Sequence, residues 1–368
     1  MFIYLLIFFL LLIIPFFFPE RFRNNICFII LLAFMAIRFD VGWDFNWYHE
    51  IAQKKEFSNF SLFITRNDIQ HFMSANFDVS LWNYQRIEIL NKILYKISWF
   101  LNEPQIIILL YSFGGLYFIK KGIEKAELSK DVSFIWIFFY TFPLFFFKYV
   151  SIMRQSVALS IIFFSYKYIK EQKIFKFFFC IIFATLFHSS AKYAIILYIF
   201  NYIKLTKKKM GILFILSFFS QAAIIFCIEK ISLFGEYRKF VMGIFQGGGE
   251  KIYYLIILLA IFIIIFSEKI TKGNYEKKKL LNIVFSGCCI YILFNGLGHF
   301  NFRSALYFLI FILYLIPSFL SMFKHKILFK ICFIFSLFLL LNTYLYFDSS
   351  NPVGSEFVPY KIFLFVND

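Results

Sequence analysis

Apolar blocks run almost end to end through this chain, parted by short charged loops. A soluble domain of 368 residues, 61% of them hydrophobic, could not hide that much apolar surface, so the blocks are expected to face lipid. A helix crosses the hydrocarbon layer with about 20 apolar residues, and roughly 17 can suffice. The blocks predict twelve spans: 2–18, 25–37, 105–119, 131–148, 153–169, 174–187, 190–204, 210–228, 252–267, 280–298, 302–323 and 327–347. Several are short and read as half-helices buried in protein. The expected architecture is all-α, a polytopic membrane protein with one transmembrane domain over residues 1–368.

The charges orient it. Arg21 and Arg23 fill one loop, then Lys120, Lys121, Lys125 and Lys130, then Lys167, Lys170, Lys173 and Lys176. Lys204 with Lys207 to Lys209 follows, then Lys269, Lys272 and Lys277 to Lys279, and finally Lys324, Lys326 and Lys330. Every second loop is basic, and short basic loops stay cytoplasmic, so both termini are expected outside. The net charge of +17 then follows topology, with some attraction to anionic lipid, and nucleic acid is not expected as a partner. The first block lacks a basic leader and a small-residue cleavage site and reads as a retained helix. The 60 Phe read as lipid-facing bulk, and the six Cys, all in or beside apolar blocks, carry no metal-ligand spacing.

Two outer loops have substance. The larger, 38–86, is polar and extends to 104 through an amphipathic segment, 87–101. There Leu90, Ile93, Leu94, Ile97 and Leu101 share one helical face, as expected of an interfacial or re-entrant helix. The second loop, 229–251, holds Gly247-Gly248-Gly249, a flexible turn without the Lys-Ser/Thr that a phosphate loop needs.

Four constellations on the outer side could carry chemistry. Arg38-Phe-Asp40-Val-Gly-Trp-Asp44-Phe-Asn-Trp-Tyr48 brings two carboxylates and an Arg to the membrane boundary among aromatics. Arg donates bidentately to phosphate, and an Asp near low dielectric can act as a base. The plainer alternative is an aromatic belt with an ion pair. Arg154-Gln155 opens an apolar span, where a charge is costly and usually has a role, although a snorkelling Arg would look the same. His188, before Ser189 and Ser190, is either a base or phosphate donor or part of a helix cap. His299 and Arg303 flank Asn301 at another outer junction, and Glu88 opens the amphipathic segment. Arg38, Arg154, Arg303, two His and several carboxylates therefore share one face, fit to hold a diphosphate and a polar acceptor.

Arg38-x-x-Val41-Gly42-x-Asp44-Phe45-x-x-Tyr48 resembles the early signature of EpsG-like exopolysaccharide polymerases, a branch of Wzy-type O-antigen and capsule polymerases. Tyr149 to Ala158, with Arg154-Gln155 inside it, is similar to that family's Arg-Gln-x-x-Ala helix start. Ile182 to Ser190 is similar to its Ala-x-x-Phe-His-x-Ser motif, and Asn301-x-Arg303 to its C-terminal part. The resemblance covers about residues 30–310. It implies a GT-C-like glycosyltransferase of the bacterial inner membrane with its active site on the periplasmic face. Undecaprenyl-diphosphate-linked glycans would be donor and acceptor, with a possible chain-length regulator as partner, and no cofactor or metal would be needed. In that chemistry Arg38, Arg154 and Arg303 would stabilise the leaving diphosphate. Asp44 would be the first choice of base, with Asp40 and His188 behind it, and Gln155, Tyr48, His299 and Glu88 would position substrate. A lipid-linked oligosaccharide flippase and a membrane O-acyltransferase are the competing functions.

Overall fold

The structure, a computed structural model, describes residues 1–55, 87–126, 128, 131–230, 250–295, 297, 299–323, 325–351 and 354–365. Within them the chain is helical, with fifteen α-helices and a single two-stranded pair. Residues 56–86 of the larger outer loop and 231–249 of the second, with the Gly247–Gly249 run, lie outside the described residues.

Contacts divide the chain into two compact units. The first comprises residues 1–168, 175–193 and 334–368. It opens with α1 (Phe2–Phe17) and α2 (Glu20–Ala36), the latter carrying Glu20 in its first turn, where an anion suits the helix dipole. β1 (Arg38–Phe39), α3 (Phe45–Gln53), α4 (Ile89–Leu101) and α5 (Gln105–Lys125) follow. The expected single span 131–148 is two pieces, α6 (Val132–Thr141) and α7 (Phe146–Ser151). Pro143 is the cause. It has no N–H to continue the ladder and holds Phe142 extended, at φ −76° and ψ 120°. Then come α8 (Met153–Lys170) and α9 (Ile174–Thr185).

The expected span 190–204 also differs: Ser189–Asn201 is a 3-10 helix. The second unit contains α10 (Lys207–Lys230), α11 (Glu250–Thr271), α12 (Tyr275–Leu293) and α13 (His299–Leu309). A 3-10 turn and α14 (Ile316–Leu320) continue α13. α15 (Lys326–Ser349) and β2 (Lys361–Ile362) end the chain.

Among the described residues, four helices are long and apolar enough to cross a membrane: 105–125, 252–271, 300–320 and 326–349. They use their apolar surface differently. The 300–320 window is 83% buried and forms the middle of the second unit, whereas the 326–349 window is only 11% buried. Such outward apolar surface is stable against lipid tails.

The aromatic wealth is not all lipid-facing bulk. Tyr4, Phe34, Tyr140, Phe146 and Phe147 form a buried cluster in the first unit, and the half-buried Tyr360 stacks on Phe34 at 4.4 Å. Its polar tips are satisfied, as buried hydroxyls must be: Tyr4 donates to the Phe357 carbonyl at 2.6 Å, and Tyr140 to the Tyr4 carbonyl at 2.8 Å. Phe2, Phe16, Phe100, Phe175 and Phe179 do point outward.

α4 carries its apolar stripe on the outside, the side an interfacial helix turns to lipid. Asn91, Lys92, Tyr95, Ser98 and Trp99, its more polar face, are buried in the protein, while Ile93, Ile97, Phe100 and Leu101 are exposed. The polar face can go inside because it finds partners there. Asn91 donates to the Phe187 carbonyl at 2.8 Å and accepts from the Tyr111 hydroxyl at 3.0 Å. Asn102, left-handed at φ 53°, ends the helix.

Candidate active site

The first motif is built from two sides. Gly42 has φ +98°, and a Cβ there would stand 2.8 Å from the Val150 carbonyl oxygen. Only glycine allows this turn to close onto the end of α7. Below it, Arg38 is completely buried. Its guanidinium donates to the carbonyls of Val41 (3.1 Å), Val150 (3.0 Å) and Met35, to the Ser112 hydroxyl and to the Met153 sulfur. Burial pushes its pKa down to about 10, which leaves it charged at neutral pH. A guanidinium with every face in the core cannot meet a substrate phosphate directly. The reading of Arg38 as a diphosphate ligand gives way to that of a clamp joining the end of α2, the 41–42 turn and the end of α7.

Arg154, in the first turn of α8, is placed differently. Its Nη1 is 2.8 Å from Glu88 Oε2, its Nε donates to the Tyr48 hydroxyl at 3.3 Å, and its guanidinium lies 4.9 Å over the Trp47 ring. Arg154 and Glu88 side chains remain 21% and 18% exposed, so the pair lines an accessible surface. Burial is the first cause that raises the Tyr48 phenol above its ordinary pKa, which keeps it a neutral hydroxyl.

Glu88 is the hub. Besides Arg154 it accepts from Asn91 at 3.1 Å and, through Oε1, from the Ser189 backbone N–H at 2.9 Å. The third motif is thereby tied to the first two: Phe187 is held through its carbonyl by Asn91, and Ser189 by Glu88. His188 Nδ1 is 2.7 Å from Ser190 Oγ, so the turn both caps itself and keeps the imidazole beside the carboxylate's partner. The stretches of Tyr48, Arg154 and His188 gather around one carboxylate, Tyr48 through Arg154 and His188 through its neighbour Ser189.

The acids of the first motif diverge. Asp40 accepts from Asn46 at 2.7 Å and pairs with Lys361 of β2. Burial alone would raise its pKa, but Lys361 and Asn46 outweigh that and hold the carboxyl below its usual value. Asp44 precedes α3, half-buried, and its charge acts on the Tyr48 phenol. Gln155 is buried, at 1% exposure, directly beneath Arg154 in sequence. Arg303 is half-buried in α13 of the second unit; the same helix begins at His299, whose side chain lies outside the described residues.

The sequence reading missed the C-terminal strap. β2 pairs antiparallel with β1, Arg38 opposite Ile362 and Phe39 opposite Lys361. Glu356 accepts from the Trp43 N–H at 3.1 Å and from the Ser151 hydroxyl, and its own carbonyl accepts from the Gly42 N–H at 2.9 Å. Asp348 fixes the strap by accepting from the N–H groups of Glu356, Phe357 and Val358 at 2.9, 2.9 and 3.0 Å. The signal was there, in a polar stretch with two Pro, a Gly and a Glu after the last apolar block. Asn91 and Tyr111 were missed as site partners for a simpler reason: each reads as part of a helix core until its neighbours are known.

Helices with lipid-facing apolar surface, holding a partly exposed Arg–carboxylate pair in a polar, aromatic-walled cluster, define a helical membrane protein with one polar site in its first unit. The chain belongs to the EpsG family, whose family model matches residues 24–362. Membership aligns it with exopolysaccharide-polymerase-like, glycosyltransferase-like membrane proteins. No curated protein and no solved structure matches the chain.

Proposed function

We propose that this chain joins undecaprenyl-diphosphate-linked oligosaccharide repeats by glycosyl transfer at the outer leaflet of the bacterial plasma membrane. The observation that carries the reading is the Arg154–Glu88 pair, at which all three family-like motifs of the first unit meet. In the reaction the bond between the donor's anomeric carbon and its diphosphate oxygen breaks. A hydroxyl of the acceptor repeat attacks that carbon and gives up its proton, and undecaprenyl diphosphate departs. Negative charge grows on the departing oxygen, which an oriented guanidinium stabilises far better than water does. Arg154 is assigned that role. Glu88 holds it in place, and the Tyr48 hydroxyl and Trp47 ring fix its angle.

Asp44 is assigned as the base from its place before α3, half-buried and with its charge acting on the Tyr48 phenol beside Arg154. His188 positions the acceptor beside Ser190. Arg303 and His299 belong to the same reaction as binding residues for the lipid-linked glycan, in a twelve-span arrangement with the lysine-rich loops in the cytoplasm. A chain-length regulator is expected as a partner of such a polymerase.

The test is the surface glycan ladder of a deletion strain complemented with the wild-type chain or with Arg154→Ala at equal membrane level. A single repeat unit in the deletion strain, and in the Arg154→Ala strain, is the expected result. Long polymer in the deletion strain would sink the polymerase reading. Loss of all surface repeats, with lipid-linked units trapped inside, would turn it into a flippase.

A further inference from the structure

After the last apolar helix the chain returns over the first unit, and Glu356 lies where that return meets two segments of the candidate site. Its Oε1 accepts from the Trp43 N–H at 3.1 Å and from the Ser151 hydroxyl, and its carbonyl accepts from the Gly42 N–H at 2.9 Å. Trp43 precedes Asp44, and the Gly42 carbonyl accepts the Phe45 N–H at 3.0 Å where α3 begins. Ser151 ends α7, three residues before Arg154. Those three residues do not continue one helix: Ile152, at φ −102° and ψ 58°, parts α7 from α8.

The strap is held firmly without the Glu356 side chain. Phe357 is buried, its ring 4.9 Å from that of Phe147 and 6.0 Å from that of Tyr344. The Tyr4 hydroxyl donates to the Phe357 carbonyl at 2.6 Å, the Tyr360 hydroxyl donates to the Phe34 carbonyl, and the Asp348 carboxylate takes three backbone N–H groups. The Glu356 carboxylate is half-buried and Trp43 is exposed, so water can replace their hydrogen bond and it adds little to stability. What the carboxylate changes is geometry, because it fixes the turn before Asp44 against the end of α7. Arg38 joins the same two segments in the core, through the Val41 and Val150 carbonyls. Glu356 joins them at the partly exposed edge.

We propose that Glu356 is a positioning residue of the glycosyl transfer: through the Trp43 N–H and the Ser151 hydroxyl it holds the segment of Asp44 in register with the segment of Arg154. The role rests on the polymerase reading, in which those two residues are the base and the guanidinium that meets the leaving diphosphate. Glu356 acts through them and touches no reacting atom. A base and an anion-stabilising group that stand on separate segments must be held in place together, since a misplacement of about 1 Å can slow a reaction roughly 10²-fold. The buried Tyr48 hydroxyl, 3.3 Å from Arg154 Nε, ties α3 to α8, and Glu356 governs the turn that precedes α3.

The experiment measures polymerisation by the purified full chain in lipid nanodiscs, well below the melting midpoint of every variant. The substrate is the lipid-linked repeat unit extracted from the deletion strain. Glu356→Ala is expected to lower kcat roughly 10–100-fold, with KM within about threefold and the midpoint lower by no more than about 4 °C. Glu356→Gln keeps an acceptor oxygen in place and should bring kcat back to within about threefold of the wild-type chain. Tyr360→Phe removes a hydrogen bond elsewhere on the strap and should leave kcat intact at a similar midpoint. Added to Arg154→Ala, Glu356→Ala should slow the reaction by less than about threefold more, whereas a folding defect would multiply through. Should Glu356→Ala not accumulate, Ser151→Ala cuts one arm of the same bridge and must lower kcat about threefold or more; an undiminished rate there overturns the role. An equal loss in Tyr360→Phe also overturns it, and so does a Glu356→Gln chain as slow as Glu356→Ala, which would make the carboxylate a reacting group. A fast Glu356→Ala chain beside a slow Arg154→Ala chain overturns this role alone. A wild-type chain that makes no polymer sinks the polymerase reading, and the role with it.

Discussion

Arg38 and Arg154 open two neighbouring pieces of one region and come to opposite uses. Arg38 is wholly buried and donates to three backbone carbonyls, a hydroxyl and a sulfur, with no carboxylate among these partners. Arg154 keeps about a fifth of its side chain exposed and pairs with one carboxylate. In the core a guanidinium stays charged by spending all its donors on fixed dipoles, and then it holds backbone together. At an accessible edge it keeps a direction open, and then it can meet a substrate anion. The same residue type is scaffold or tool according to what surrounds it.

The comparison can be broken most directly at Arg38. Arg38→Ala leaves at least three carbonyls and a hydroxyl without their donor in the core and opens a cavity beside them. A loss of about 4 kcal/mol or more is expected, seen as failure to accumulate in the membrane. A normally abundant Arg38→Ala chain without activity would instead place Arg38 in the chemistry. Arg154→Ala should do the reverse, inserting at normal level while the polymerisation rate falls about 10²–10³-fold. If its melting temperature fell as far as that of Arg38→Ala, the distinction between the two would be lost.

Gly42→Ala sharpens the scaffold side. The new Cβ would stand 2.8 Å from the Val150 carbonyl at a φ of +98°, so a loss of about 1–3 kcal/mol is expected, read as a lower midpoint in thermal unfolding. Lys361→Ala should be the mildest, at no more than about 1 kcal/mol, because both partners of the Asp40 pair are partly exposed. Its pH signature is more telling than its size. Asp40 has a folded pKa below its usual value, so the stability it contributes is present above about pH 4, the unfolded value, and is lost as pH falls through the folded one. Melting curves between pH 7 and 3 should therefore decline less steeply in Lys361→Ala than in the wild-type chain.

Much of this was legible beforehand. The apolar blocks marked the helix that opens with Arg154, and the amphipathic pattern marked α4, whereas α3 fell inside the stretch read as a polar loop; the motif residues Tyr48, Arg154 and His188 were singled out before their meeting was visible. The break at Pro143 went unread: the block 131–148 reads as one span, and the proline's missing N–H divides it. What could not be read was which groups meet. α4 has a clear apolar stripe whose outward face suits an interfacial helix, but nothing in the stripe says that Asn91 on the other side finds the Phe187 carbonyl and the Tyr111 hydroxyl. Nor could Arg38 and Arg154 be told apart, because both follow apolar residues and precede aromatic or polar ones.

By itself the sequence determined the class: a helical membrane chain of the EpsG family, with its polar motif residues grouped at helix ends. That much is local, since hydrophobic length, proline position and motif spacing act along the chain. Only the tertiary structure decided which acid is shared, which arginine is buried and that a polar C-terminal strap closes on Gly42 and Trp43. Those outcomes depend on contacts between residues as far apart as Arg38 and Ile362, or Glu88 and Arg154, where burial and hydrogen-bond partners are fixed by packing that no single stretch encodes.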